Sequence, residues 1–557
     1  MVHLIKNKHD FILTFFVGLA FLYGILSFQH YSPSFHDFYI HTFVFFLCSV
    51  GLFLFFIKRE VKLYTSQALW LVFLLIFIIQ PIFNNLIYVD GLIFPIAIIL
   101  LMLFLSLAVS NIELKDQFIK KMALILALGA ILLQLTQFLH IFNVEKLIEL
   151  MLIPRQKSRF SGNLFQPNQT AFVFVLGIIS VMYYFCNKSV IKYFLIFLLS
   201  FGVAFTASRT GLLLLVLFVF VFNVFMNKLS GISFFKVKDF ISSLLGFTFG
   251  VLIYPYFSVA GTVVARAASG LDEARLSLLH RVWLIICDHP VMGGGWKSFS
   301  GFGIEYFDRI KWFDSVDHSH FIFGQLLAEF GVFGLIVIFI FIGLLIKNIR
   351  VSSIKDAYVL VILMVILFYS FFEFPLWQLR YLIVFSIFLS LYDRGGKVIC
   401  VINNYLLLSI LLLLSFFSLY YSYQYKGVSY LYDRVLNNNK TIAEDKAILL
   451  DVNYVYGFGY FDDVIRYEIY SKYMKDLNLI VDIGDRLVRY TPSYYYLIKH
   501  ATSLALIGNS YNSIYYFKAS CNYAYGQYCT ETKNYLKSLA ERDPDHFEHI
   551  YIAVSKN

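Results

Sequence analysis

Residues Phe11–Phe28 read FILTFFVGLAFLYGILSF, an uncharged run long enough to cross a bilayer core as a helix. It is too long for the apolar core of a signal peptide, and no small-residue cleavage site follows it, so it is read as a retained helix. The same pattern recurs along the chain. The 557 residues are 59% hydrophobic and 14% charged, with 62 Phe and 40 Tyr, whereas soluble globular chains are roughly 45–50% apolar and about 25% charged. The sequence therefore predicts an all-α polytopic membrane bundle. Its spans fall at 11–29, 39–57, 67–84, 91–109, 122–140, 169–186, 190–207, 210–227, 240–257, 331–347, 357–373, 378–392 and 399–418.

Placing the N-terminus in the cytoplasm puts Lys6/Lys8, Lys58/Arg59/Lys62, Lys115/Lys120/Lys121 and Lys188/Lys192 inside. Lys228/Lys236/Lys238, Lys347/Arg350/Lys355 and Arg394/Lys397 follow them there. Every inside loop is then basic, as the charge rule for membrane insertion requires. Four regions result: a bundle over 1–257, an exported loop over 258–330, returning spans over 331–418 and an exported helical domain over 419–557. In that last region TPSYYYLIKHATSLALIG offers Thr491 as a helix cap, Pro492 as first helical residue and Gly508 as the stop. A second helix is expected from Tyr511 to about Tyr525. The pair is either one unit of a helical repeat or a cap on the bundle. Cys48, Cys186, Cys287 and Cys400 are scattered, whereas Cys521 and Cys529 lie close together. In an oxidising compartment these two would bridge a short loop; otherwise they are two small unpaired residues.

The outside face carries Arg155, Arg159, Arg209, Arg266, Arg275, Arg281, Arg309 and Arg380, against the topological preference. Arginine offers a planar fork of donors matched to phosphate oxygens. Arg209 lies in a tight turn, TASRTG, near bilayer depth, where a cation is costly unless paired or functional. It would bind an anionic lipid-linked ligand, snorkel, or pair with Asp272 or Glu273. Arg275 and Arg281 divide evenly between the same readings, and Arg309 and Arg380 read as solvated surface. In SRFSGNLFQPNQTAF, Asn163, Gln166 and Asn168 bring amides to the head of a span, where they bind sugar hydroxyls or cap the helix, Asn168 being the natural cap.

The segment VDHSHFIFGQLLAEFGVFG, from Val316, sets His318 and His320 two residues apart after an acid. Histidine near neutral pH can take a proton from a hydroxyl. A straight span from residue 320 would sink Glu329 roughly 13 Å into the bilayer at 1.5 Å per residue. Gly331 and Gly334 point instead to a short interfacial helix, a break, and then the span. Glu373, before the bend in SFFEFPLWQLRYL, would orient a histidine or acceptor hydroxyl, or pair with Arg380.

These motifs together resemble the bacterial protein O-oligosaccharyltransferases of the PglL type, within the O-antigen ligase and Wzy polymerase superfamily. SGNLFQPNQTA is similar to the family's G-x-x-x-QPN-x-x-A, and SRTGLLLL to its Ser-Arg turn. RVWLIICDHPVMGGGWKSF, which includes Trp296, is similar to its Arg–Trp–hPxxGxGW-x-x-F segment. HSHFIFGQLLAEFGVFG resembles H-S-H-N-x-x-x-Q-x-x-x-E-x-G-x-x-G, aligning Gln325 and Glu329, and EFPLW, with Trp377, resembles E-Y-P-L-W. Phe321 departs from the family's Asn. The resemblance implies en bloc transfer of a glycan from undecaprenyl diphosphate to Ser or Thr of an exported protein, often a pilin, at the periplasmic face of the inner membrane. His320 would be the base, with His318 a second participant and Glu373 beside them. Arg209, Arg275 and Arg281 would hold the diphosphate. Asn163, Gln166, Asn168, Gln325, Glu329, Trp296 and Trp377 would contact glycan or acceptor. No cofactor, metal or nucleic acid is expected, because the lipid diphosphate is itself the activated donor. An O-antigen ligase acting on lipid A core, a glycan polymerase and a non-enzymatic polysaccharide transporter are the alternatives.

Overall fold

The computed structural model describes residues 2–27, 37–144, 146–147, 156–185, 189–221, 236–259, 261–268, 273–347, 351–393, 397–436, 447–449, 453–474 and 476–556. Arg155, Cys186, Lys188, Lys228, Asp272, Arg350 and Arg394 lie outside them, as do the side chains of Lys6 and Arg266. Among the described residues, eight helices are long and apolar enough to cross a membrane: Lys8–Leu26, Phe38–Phe56, Val89–Ser110, Lys115–Ile141, Pro167–Tyr184, Val237–Tyr256, Ile322–Lys347 and Asn404–Leu436. Ala68–Phe83, Val190–Phe205, Arg209–Val219 and Leu379–Tyr392 are shorter apolar helices, and Ile354–Tyr369 is a further one starting at the cap Ser353. Each span expected from the sequence thus has a helix. The chain is a multi-pass, all-α membrane protein.

Two compact units divide the chain. The first joins 1–71, 97–270 and 340–423; the second joins 72–96, 271–339 and 424–557. In the first, Lys115–Ile141 packs on Pro167–Tyr184 and Ser189–Phe205 on Val237–Ile253. Lipid supplies no hydrophobic drive for such contacts, so close backbone approach through small residues has to hold them. A Cβ on Gly177 would lie 2.2 Å from the Ala130 Cβ, and one on Gly246 would lie 2.2 Å from the Phe197 carbonyl oxygen. Two loops of this unit also pair as a small antiparallel sheet, Val61–Tyr64 with Val398–Ile402. The last span was expected from residue 399. Its β-branched start, VICVI, forms the strand instead, and the helix begins at Asn404. The pairing requires both loops to emerge on one side of the bundle, as the alternation of basic loops does.

The second unit has one main core contributed by both the 271–339 segment and the C-terminal helices. Leu278, Val282, Ile285, Phe299 and Phe313 are buried with Val464, Ile480, Ile483, Leu487 and Tyr523. Helix Leu477–Tyr490 buries Ile480, Ile483, Gly484, Leu487 and Val488, a stripe at helical spacing. Six helices follow one another from Gly459 to Ser555. Ser493, not Thr491, caps Tyr494–Leu506, its hydroxyl oxygen accepting from the Tyr496 N–H, while Thr491 is the closing residue of the preceding helix. Gly508 ends that helix region at φ 80°, as expected. Cys521 and Cys529 are bonded, with Cα atoms 3.9 Å apart.

The helix Ile322–Lys347 breaks at Gly331, whose φ is 55° and ψ is −132°. A Cβ there would lie 2.6 Å from the Gly293 nitrogen and from the Pro290 and Val291 oxygens. The break between two helical stretches read from the glycines is observed, at Gly331.

Gly246→Val should lower the melting temperature of the detergent-solubilised protein, since overpacking against a fixed carbonyl costs about 1–3 kcal/mol or more. An unchanged melting curve would show that the two helices slide apart freely.

Candidate functional site

The candidate residues form two groups, one in each unit. In the first unit, Gln137 is fully buried and donates to the carbonyls of Phe160 (2.8 Å) and Gly202 (3.1 Å). This ties the 156–166 segment to the end of helix Ser189–Phe205. Arg159, Gly162 and Phe165 have φ of 50°, 56° and 55°, so the segment folds back on itself three times. Gln166 caps helix Pro167–Tyr184, its side-chain oxygen accepting from the Gln169 N–H at 2.7 Å, with Pro167 at the first helical position.

Asn168 is therefore not the cap that its sequence position suggested. The residue two places earlier takes the role, because Pro167 fixes the helix start immediately after it. The Asn168 amide is used elsewhere. Its Oδ1 accepts from Ser208 Oγ (2.8 Å) and Arg159 Nη2 (3.1 Å), and its Nδ2 donates to Glu373 Oε1 (2.7 Å). Ser208 caps the helix that Arg209 begins, so Arg209 does occupy a turn between apolar helices, and it is half-buried. Asn163 donates to the Leu26 carbonyl at 2.6 Å. Trp377 ends the short turn Pro375–Trp377 and is partly buried.

Arg380 is not solvated surface. It is 1% exposed, its guanidinium meeting Asp37 (3.0 Å), Gln169 (2.9 Å), Gln378 (2.7 Å) and the Gly24 carbonyl (2.9 Å). Four acceptors offset the cost of burying the cation, and the absence of a side chain at Gly24 makes the approach feasible, since a Cβ there would lie 2.7 Å from the Arg380 Cβ. Arg309, by contrast, is half-exposed beside Asp288.

In the second unit the histidines lie in the loop directly before Ile322, with His320 at φ 55°. Gln325 fixes this turn. Its Oε1 accepts from the Ser319 N–H at 2.7 Å and its Nε2 donates to the Asp317 carbonyl at 3.3 Å. His318 Nδ1 is 2.7 Å from Asp317 Oδ1, and Lys297 Nζ is 2.7 Å from Asp317 Oδ2. The two imidazoles pack edge to face, 4.4 Å between centroids. Removal from bulk solvent would raise the Asp317 carboxyl, but Lys297 and His318 outweigh it and hold the group well below the usual carboxylate range. Burial pushes His318 below the ordinary histidine value, against the opposing pull of Asp317. Asp317 is thus ionised and can only accept, so the His318 proton sits on Nδ1 and the lone pair on Nε2.

Glu329 is buried, its Oε1 accepting from the Lys297 N–H at 3.1 Å, and its carbonyl accepts from Gln80 at 2.8 Å. Gln80 also accepts from the Trp296 N–H at 3.1 Å, while the Trp296 ring lies edge-on to Phe77. Arg275 and Arg281 share helix Glu273–Asp288; six residues apart, they point about 120° from each other around its axis. Arg275 is half-buried and Arg281 fully enclosed, stacked over the Phe299 ring at 5.1 Å. Burial brings the Arg281 guanidinium down to about 10, which leaves it charged at neutral pH. The Phe299 carbonyl accepts from its Nη1 at 3.4 Å. Among the described residues, no group of three or more His, Cys, Asp or Glu is arranged to hold a metal.

Lys297, Ser208 and Gln80 were not singled out from the sequence. Lys297 had a local signal, its place directly after the glycines of GGGW. Ser208 had another, its position before a helix-starting arginine. Gln80 had none, because its partners lie more than 200 residues away.

A family model described as O-Antigen ligase matches residues 194–339. The match takes in Arg209, Arg275, Arg281, His318, His320 and Glu329, but not Asn163, Gln166, Asn168, Glu373 or Trp377. No curated protein and no solved structure matches the chain.

Asn168→Asp should destabilise the protein more than Asn168→Ala, because it sets a second carboxylate against Glu373. Its melting temperature should therefore fall below that of Asn168→Ala. An Asn168→Asp variant that melts with or above Asn168→Ala would remove Asn168 as the donor to Glu373.

Proposed function

We propose that the chain, whose residues 194–339 match a family model described as O-Antigen ligase, transfers a glycan en bloc from undecaprenyl diphosphate to Ser or Thr hydroxyls of exported proteins, pilins among them. The reaction occurs at the periplasmic face of the bacterial inner membrane. The observation that supports this reading is the histidine turn, which lies inside the matched segment and sets His318 Nδ1 against Asp317 with the His320 ring packed beside it. Family position assigns the base to His320, with His318 beside it. Family position likewise assigns the diphosphate to Arg209, Arg275 and Arg281. Preorganised cations at the charge that develops on the leaving group are the largest expected contribution to rate. Glu373, through Asn168, keeps the head of helix Pro167–Tyr184 in place for glycan or acceptor, to which Asn163, Gln166, Trp377, Trp296, Gln325 and Glu329 add polar and stacking surface.

The description of the matching family favours a second reading, transfer of the glycan to lipid A core. Two features support a protein acceptor instead: the QPN segment, and a C-terminal helical array large enough to receive a polypeptide. Comparing intact masses of secreted proteins from cells with and without the gene separates the two. A glycan mass lost from an exported protein is expected, and a glycan lost from lipopolysaccharide alone would overturn the protein acceptor. His320→Ala should abolish the transfer with expression and lipid-linked donor unchanged. Wild-type glycosylation by that variant would remove His320 as the base.

A further inference from the structure

The neighbours of the histidine turn carry more than its fold requires. Lys297 adopts a left-handed φ of 63° two residues after Gly295, which with Gly293 is also left-handed, at 98° and 65°. A non-glycine residue in this region is strained, and Glu329 holds this one there by accepting the Lys297 N–H at 3.1 Å. The outcome is an ammonium placed 2.7 Å from one oxygen of Asp317 while the other oxygen takes the His318 Nδ1 proton at 2.7 Å. Gln325 fixes the intervening backbone from the far side, through Ser319 and the Asp317 carbonyl. Asp317 is 48% exposed and Lys297 32%, so what sets this ion pair apart is the backbone support beneath it.

We infer that Asp317, held by Lys297, is a positioning residue that fixes His318 as the Nδ1–H tautomer and so makes His318 Nε2 the proton acceptor of the pair, with His320 packed against its ring. The inference rests on the transfer reading above and alters which imidazole takes the proton. In the step, the acceptor O–H bond breaks and its proton passes to His318 Nε2. The acceptor oxygen forms its bond to the anomeric carbon of the glycan. The bond from that carbon to the diphosphate oxygen breaks, and its electron pair leaves on the lipid diphosphate. The imidazolium formed is stabilised by the Asp317 carboxylate and later returns its proton to solvent. An ionised group that orients a histidine in this way acts by tautomer and electrostatics, without itself being protonated.

The charged groups facing His318 are Asp317, His320 and Lys297, and Lys297 in turn faces Glu329 and Tyr490. Asp317 is the one that favours the protonated imidazole most strongly. Replacing it with Asn therefore predicts two effects of known sign. The carboxamide can donate to Nδ1 and so drive the proton to Nε2, removing the lone pair needed for the step. Loss of the carboxylate also moves the acid limb of the rate profile to lower pH, whereas a general loosening of the turn lowers the rate without shifting the limb.

The test uses the full chain in nanodiscs, with an undecaprenyl-diphosphate-linked disaccharide as donor and the acceptor identified by intact mass. His318→Ala should lose about 10²–10⁴-fold in kcat, the usual worth of a general base. Asp317→Asn should lose much of the same factor with KM little changed and the acid limb moved down, and Asp317→Glu should recover part of the rate. Nitrogen-15 histidine NMR, assigned by the signal missing from His318→Ala, provides a readout that does not depend on transfer. Wild-type His318 should show the Nδ1–H tautomer and Asp317→Asn should lose it. The same tautomer in both proteins would overturn the positioning role of Asp317. Full activity of His318→Ala beside an inactive His320→Ala would overturn the assignment of the proton to His318 and leave the proposed function standing. A wild-type protein that moves no glycan to any protein, while NMR shows the expected tautomers, would instead overturn the transfer reading.

Discussion

Arg380 brings together four parts of the membrane bundle that are distant in sequence. Its guanidinium binds the end of the first helix through the Gly24 carbonyl, Asp37 ahead of the second helix, and Gln169 in the first turn of helix Pro167–Tyr184. An unpaired cation buried at 1% exposure would be among the costliest features a membrane protein can contain. With its acceptors in place it acts as a rivet instead. Gln169 lies next to Asn168, so the same contact that satisfies Arg380 sets the register in which Asn168 meets Glu373, Ser208 and Arg159. Removing one acceptor would strand a charge, and the loss would exceed that of an ordinary hydrogen bond.

The second unit applies the same logic with smaller means. Lys297, Asp317 and His318 form a line of ionisable groups in which each has its partner. The backbone around them is held by Glu329 and Gln325, whose side chains face inward. Each of these hydrogen bonds narrows the set of arrangements open to the turn. Rigidity of the histidine turn is thus a by-product of satisfying its polar atoms.

The membrane helices were legible because the signal is collective: eighteen or more apolar residues in a row leave few other folds, whatever the exact ends. The break at Gly331 was legible because a carboxylate and two glycines contradicted a straight span. Single positions were harder. Gln166 and Asn168, or Thr491 and Ser493, are each plausible caps two residues apart, and the choice falls to a proline or to where the preceding helix ends. Arg380 looked like surface because a cation at the end of a span reads the same whether it snorkels outward or turns in towards Asp37. The strand at Val398–Ile402 was lost inside an apolar run, since β-branched residues also suit a span. The shared core of the 271–339 segment and the C-terminal helices was beyond local reading altogether.

That shared core also fixes an order of events. The Ala524 N–H pairs with the Phe313 carbonyl, and the Tyr523 hydroxyl reaches Asp314 and Ser315, three residues before the histidine turn. These partners are synthesised about 200 residues after the segment they brace. During biosynthesis the histidines are therefore made early and wait, without their final support, until the last helices have been made and the loop between Cys521 and Cys529 has closed. Competence arrives at the end of translation, and a chain cut short after its final membrane helix would hold every residue of the candidate site while lacking the shape that arranges them.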